Sequence, residues 1–338
     1  MNAHAQEISV ASPRCWLITG GAGYIGSHIV RTLRERGHHV VVVDDLSSGD
    51  VSRLATEVPL VRADVADRDA LVETIRAHGV EGIIHLAGKK SGEESIRLPL
   101  LYWKENVGGF RSVLDAVALT GIRSLVFSSS SAVYGQPDTQ VVDEFSPTIP
   151  ANPYGESKLA CEWMLKAYAA QAGLRWTALR YFNVAGCASG ELVDMNSTNL
   201  VPFLLRCLID EENPPIFGDD YATPDGTCVR DYVHVVDLAE AHSDAAVSLD
   251  RGVGGIYNIG RGAGVSVRAM AEIASRVTGT ELHPRLLPRR PGDVASVVAS
   301  TERARKILGW VAKRDVEDMI RDEFIFRSAR SESDGASF

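Results

Sequence analysis

TGGAGYIG, residues 19–26, lies between a short apolar run, CWLITG (15–20), and a helical pattern, YIGSHIVRTLRERG (24–37). Its glycines at 20, 23 and 26 recur at every third position. Glycine permits the tight turn from strand to helix and lets backbone N–H groups approach a pyrophosphate, which rests on the positive helix end. Gly20, Gly23, Tyr24, Ile25 and Gly26 are therefore candidate cofactor residues. A glycine triplet alone also serves ordinary tight turns, so its surroundings must decide.

They favour a dinucleotide. HHVVVVD (38–44) is β-branched, too short for a helix, and ends in Asp44, eighteen positions beyond Gly26. A carboxylate there can accept hydrogen bonds from a ribose diol and would repel a 2′-phosphate, which predicts NAD rather than NADP. Asp45 adjoins it. RADVAD (62–67) offers Asp64 and Val65 at a third strand end, and HLAGKK (85–90) offers Leu86, Ala87 and Gly88 at a fourth. Packing at a strand end accounts for any one of these alone; together they make a site.

The same alternation runs on through SLVFSSS (124–130) and RWTALRYFN (175–183), with helical stretches at 67–79 and 109–121. Gly37, Gly79 and Gly121 stand where left-handed helix caps belong. Apolar strands alternating with amphipathic helices predict an α/β fold, a doubly wound parallel Rossmann sheet. Beyond about residue 184 the pattern breaks into proline-rich pieces, with helices expected at 199–210, 236–249, 266–278 and 301–308, the last capped by Ser300 and stopped by Gly309. The expected organisation is a flexible leader over 1–13 and a Rossmann domain over 14–183 with returns near 229–260. A smaller mixed α/β substrate lobe covers 184–228 and 261–330, and a loose tail covers 331–338.

Composition excludes some classes of partner. A net charge of −9 argues against nucleic acid or an anionic membrane. No apolar run approaches membrane-spanning length. Five scattered cysteines, none in a CxxC, predict neither a disulfide framework nor a metal site, and suit a reducing cytoplasm.

NPYGESK (152–158) sets Tyr154 and Lys158 four apart, on one face of a helix. An ammonium there is expected to lower the phenol pKa. SSSSAVYG (128–135) brings hydroxyls, Ser128 and Ser130 among them, to the carboxyl edge of the sheet. Ser130 holding an oxygen, Tyr154 exchanging a proton and Lys158 supporting both the tyrosine and a nicotinamide ribose form a hydride-transfer site.

The ordered set GGAGYIG, HLAGKK, FSSSSAVYG, YGESK, LRYFN and VRDYVHVVDLA resembles the extended short-chain dehydrogenase/reductase family over about residues 14–325. Within it the chain is similar to the UDP-glucose (UDP-galactose) 4-epimerases. That resemblance implies Tyr154 as catalytic acid and base, with Ser130 and Lys158 as its partners. It places Lys90, Asn106 and Tyr181 around the cofactor. Toward a nucleotide sugar it implies Lys90, Asn183, Asn199, Leu200, Ile216, Phe217, Arg230, Tyr232, Arg290, Asp293 and Val297. It also implies a homodimer built through helices near 102–120 and 154–171.

Rival readings separate on particular residues. A 4,6-dehydratase needs an acid/base pair just beyond the catalytic serine, where this chain has Ser131 and Ala132. No clear set of groups awaits a C6 carboxylate, as a uronic-acid epimerase or decarboxylase would require. A non-catalytic NAD-binding regulator need not keep the Ser/Tyr/Lys relay. Lys89 adds a charge where relatives are usually apolar, Val297 leaves room for a C2 N-acetyl group, and the segment 186–198 is short. UDP-sugars, dTDP-sugars and N-acetylhexosamines all stay open at this point.

Overall fold

The computed structural model describes residues 13–194, 199–290 and 293–335. Most of the expected leader and part of the segment 186–198 therefore lie outside the described residues.

The first half runs β1 (Cys15–Thr19), α1 (Tyr24–Glu35), β2 (His39–Asp44), β3 (Leu60–Arg62), α2 (Arg68–Ala77), β4 (Gly82–His85), α3 (Gly92–Arg97) and α4 (Pro99–Tyr102). A π-helical turn, Trp103–Gly108, leads into α5 (Gly109–Thr120), β5 (Ser124–Ser130), the two-residue β6 (Val141–Val142), α6 (Pro153–Ala172) and β7 (Arg175–Tyr181). Thereafter come β8 (Asn183–Ala185), α7 (Leu200–Ile209), β9 (Pro215–Phe217), β10 (Val229–His234), α8 (Val235–Asp250) and β11 (Gly255–Ile259). The chain closes with β12 (Gly264–Ser266), α9 (Val267–Thr278), β13 (Arg285–Leu287), β14 (Ser296–Ala299) and α10 (Val316–Gly335).

The main sheet has the order β11-β7-β5-β4-β1-β2-β3, with every pairing parallel. Side chains alternate between its faces with period two. Ile18, Val42 and Ile84 enter the core shared with α1 and α8, while Leu17, Val41 and Ile83 enter the one shared with α2, α5 and α6. Burial on both faces is why these strands read as unbroken apolar runs. Gly37, Gly79 and Gly121 all adopt positive φ, 83°, 59° and 74°, at helix ends.

A second sheet, β12-β10-β14-β6 with β8 paired to β10, stands beyond the carboxyl edge of the first, and β9 pairs with β13. Helices α7, α9 and α10 share a separate core around Tyr232 and Met319. Of the stretch 229–260, α8 and β11 pack with the first sheet, whereas β10 pairs in the second.

Three readings need correction. The helix expected from 301 starts at Glu302 and is π-wound over Ala304–Leu308; Thr301, not Ser300, directly precedes it, so Ser300 is not at the cap position. Helix α10 was not foreseen, since charged residues interrupt its apolar spacing. It continues to Gly335, so the segment expected as a loose tail is helical up to that residue.

Candidate active site

Strand order reverses between β1 and β4, whose carboxyl ends flank the crevice where open α/β sheets hold ligands. After β1 the chain turns tightly enough that a Cβ on Gly26 would lie 2.1 Å from the Gly20 carbonyl oxygen. Gly20 itself has φ +73° with Ala87 backbone pressed on it. Any side chain at either position would push the turn apart, so the backbone remains open to an anion at the N-terminus of α1, as a pyrophosphate requires. Gly23, with extended backbone, immediately precedes the helix, and Tyr24 and Ile25 are its first residues.

Asp44 fastens this loop. Its carboxylate accepts from the Ala22 N–H and the Leu46 N–H, both at 2.9 Å, and keeps lone pairs for a ribose. Burial raises its pKa, against which the two backbone hydrogen bonds work. Asp45 closes its own turn through the Ser47 N–H at 2.8 Å, and Asp64 closes another through the Ala66 N–H at 2.8 Å. Val65 packs against Gly109 and Leu86 against the core, while the Ala87 N–H donates to the Thr19 carbonyl at 3.1 Å. The cradle and the carboxylate fit an NAD.

Asn106 differs from expectation. Its amide is engaged by the protein: Oδ1 accepts from the Lys89 N–H at 2.7 Å, and Nδ2 donates to the Lys89 carbonyl at 3.0 Å and to Ser157 Oγ at 2.9 Å. It pins the Gly88–Lys90 loop to α6 and acts on the crevice through that loop. Lys90 is exposed at the loop's end.

Helix α6 explains how Tyr154 reaches Ser130. Asn152 caps it by accepting from the Gly155 N–H at 2.9 Å, and Pro153 occupies the first helical position. A Cβ on Gly155 would stand 2.5 Å from the Ala132 carbonyl oxygen, so only glycine lets the helix start rest on the turn after β5. That contact sets the Tyr154 phenol beside the Ser130 hydroxyl. Burial raises the Tyr154 pKa, and the Ser130 hydrogen bond works against it. The lowering expected of Lys158 does not take that form. The buried ammonium donates to the Ser128 carbonyl at 3.0 Å and lies 5.2 Å from the Phe127 ring centre; burial lowers its own pKa.

Around this pair stand groups that sequence spacing did not suggest. Tyr102 meets the Tyr154 ring edge-on at 6.3 Å and donates from its own hydroxyl to Glu94 at 2.8 Å. Burial also raises the pKa of Tyr181, as does the nearby Tyr154. Tyr102 precedes Tyr154 by more than fifty residues, and no local period links the two.

A family model described as the NAD dependent epimerase/dehydratase family matches residues 16–260. The chain belongs to that family. It is 43% identical to a UDP-glucose 4-epimerase of Azospirillum brasilense, over 96% of this chain and 92% of that one. With the UDP-glucose 4-epimerase of Corynebacterium glutamicum the identity is 41%, covering 93% and 95%. A solved UDP-glucose 4-epimerase of Stenotrophomonas maltophila, with bound NAD and formylated UDP-arabinopyranose, superposes with a TM-score of 0.91 at 37% identity, covering 95% of this chain and 99% of that one.

In this epimerase/dehydratase-family chain the expected substrate residues fall into two groups. Asn183, Arg230, Phe217, Arg290 and Asp293 are accessible to varying degrees, and the Arg290 guanidinium stacks 3.7 Å from the Phe217 ring centre. Asn199, which precedes α7, donates from Nδ2 to Asp194 at 2.5 Å, and Leu200 packs on the lobe core. Ile216, Tyr232 and Val297 are buried. Burial raises the Tyr232 pKa to about 12, with Asn183 and Arg230 working against it. Tyr232 therefore belongs to the lobe core and supports Asn183 across the β8–β10 pair. Val297 packs with Val133, Leu159 and Phe182, directly behind the turn after Ser130.

Proposed function

We propose that the chain inverts the C4 hydroxyl of a UDP-hexose, UDP-glucose and UDP-galactose first, using NAD. One observation carries the reading: a Ser130–Tyr154 pair at the carboxyl edge of the sheet, the serine buried and the tyrosine half-buried, next to a glycine cradle and an acidic strand end. NAD, when bound, would supply the acceptor and donor for the C4 hydride. Tyr154 accepts the 4-hydroxyl proton and gives it back on the other face. Ser130 holds the same oxygen, and Lys158, itself held by the Ser128 carbonyl, would bind the nicotinamide ribose. Inversion requires the 4-keto sugar to turn within the site, so lasting contacts belong on the nucleotide diphosphate, where Arg230 and Arg290 supply cations. Ser131 and Ala132 carry no acid/base pair for elimination, which favours epimerisation over dehydration.

A dTDP-hexose is the second reading, because the stacked Phe217–Arg290 pair suits either pyrimidine. Incubating the protein separately with UDP-glucose and dTDP-glucose decides between them. UDP-galactose should appear in the UDP arm, and turnover of dTDP-glucose alone would overturn the choice of base.

We further infer a homodimer in the cytoplasm. Leu100, Trp103, Leu119 and Trp163 are exposed, Leu100 by 82% and Trp163 by 64%, on the packed group of α4, the π-helical turn after it, α5 and α6. A patch of such large apolar side chains points to an interface. Trp163→Glu is expected to convert a dimer into a monomer in light scattering; an unchanged mass would remove this face from the interface. All five cysteines are free thiols, four of them buried, as a reducing compartment allows.

A further inference from the structure

After β8 the segment 186–194 is clasped from two sides, by α1 and by α10. From α1, the Tyr24 hydroxyl donates to the Gly186 carbonyl, and His28 Nε2 accepts from the Ala188 N–H at 3.1 Å. From α10, Arg327 Nη2 donates to the Asp194 carbonyl at 2.6 Å and to Glu323 Oε1 at 2.9 Å. Glu323 is fully buried, and its Oε2 has no hydrogen-bond partner.

The groups facing Glu323 leave its ionised form poorly supported. The passing segment presents Cys187 and Asp194, α1 presents Tyr24 and His28, and α10 adds Asp322 beside Arg327. His234 at the end of β10 lies 3.3 Å from Asp322, and Arg53 holds the Val193 carbonyl at 3.2 Å. Among the described residues, Arg327 contacts the carboxyl as a cation and the Gly186 N–H donates to it. A carboxylate shut away from water, with one charged donor, one backbone donor, an unpartnered oxygen and an acidic neighbour, is costly because the lost hydration outweighs those bonds.

We propose that Glu323 is a positioning residue for the dinucleotide: its neutral carboxyl lets the segment 186–194 close on the first turn of α1, and its ionisation loosens that clasp. The inference rests on the NAD reading above. Burial raises the Glu323 pKa to about 7, with Arg327 opposing and Asp194 adding to the rise. The sign follows from linkage. The closed arrangement has the raised pKa, so closure is favoured below neutrality and weakened as pH climbs through about 7. The family's shared chemistry at Tyr154 needs none of these groups, which leaves them free to set how firmly the cofactor is gripped.

The test is the rate at which NAD held by the intact protein exchanges with labelled NAD between pH 6 and pH 8. Exchange in the wild type should speed by about tenfold across that range, the size of a common coupling between sites. Glu323→Gln, neutral at every pH, should stay at the slow rate throughout. Arg327→Gln removes the opposing cation and should move the midpoint upward, which keeps the test decisive should the first variant fail to fold. Hydrogen exchange at the 186–193 amides, corrected for intrinsic pH dependence, should follow the same profile. Equal pH slopes in the wild type and Glu323→Gln, or an unmoved midpoint in Arg327→Gln, would overturn the inference alone. A purified chain unable to bind NAD would overturn the cofactor reading and this inference together.

Discussion

Tyr154→Phe should lower turnover of UDP-glucose by about 10³-fold, within the range general acid–base catalysis supplies, while NAD stays bound. The ring remains to fill its place against Tyr102, so the loss isolates the hydroxyl. Ser130 then has no phenol to hydrogen-bond, and no other hydroxyl occupies the same position: Tyr181 lies on β7 with its pKa raised by burial and by Tyr154. Chromatography of the UDP-sugars reads turnover, and released NAD measured after denaturation reads retention. Turnover within threefold of the wild type, by the same reasoning about proton transfer, would remove Tyr154 from the mechanism.

Glu162→Ala should cost about 3–5 kcal/mol of stability, the usual loss when one partner of a buried ion pair is removed. Glu162 grips Arg180 through two hydrogen bonds, 2.9 Å from Nε and 2.6 Å from Nη2, with both side chains almost wholly buried. Burial by itself would lower the Arg180 pKa, but the hydrogen bonds and charge of Glu162 raise it, so removing Glu162 leaves the burial of the guanidinium uncompensated. The same network takes in Ser129, and Arg180 also donates to Tyr134 at 3.0 Å, which donates to Asn258 at 2.6 Å. It joins β5, β7, α6 and β11 one residue from Ser130 and Tyr181. Urea unfolding reads the change; a loss below about 1 kcal/mol would mean that water or another group compensates Arg180, against the general cost of a lone buried charge.

The two expectations differ in how openly the sequence declares them. Tyr154 announces itself through NPYGESK, because a cap, a proline and a glycine must adjoin it for the helix to begin there. Glu162 and Arg180 look like ordinary charged residues on a helix and a strand. Their pairing depends on which face of α6 meets β7, and no short-range pattern records that. Asn106 shows the same limit: its position was legible, but its work on the Lys89 backbone and Ser157 was not. Strands of two to four residues, such as β6, β8 and β14, are too short to leave a period, and α10 hides its buried Met319 and Ile320 among charges.

Local chemistry along the chain was enough to determine the parallel sheet, the glycine turn, the acidic end of β2 and the Ser/Tyr/Lys set. Each of these follows from steric and hydrogen-bonding demands within a few residues, or from apolar runs repeated over the whole first half. Tertiary structure alone decided the direction of the Tyr154 pKa, the aim of Lys158 at Ser128, and the burial of Tyr232, Glu162 and Glu323. Those outcomes turn on solvent exclusion, which depends on every element that packs around a group and is not written beside it in the chain.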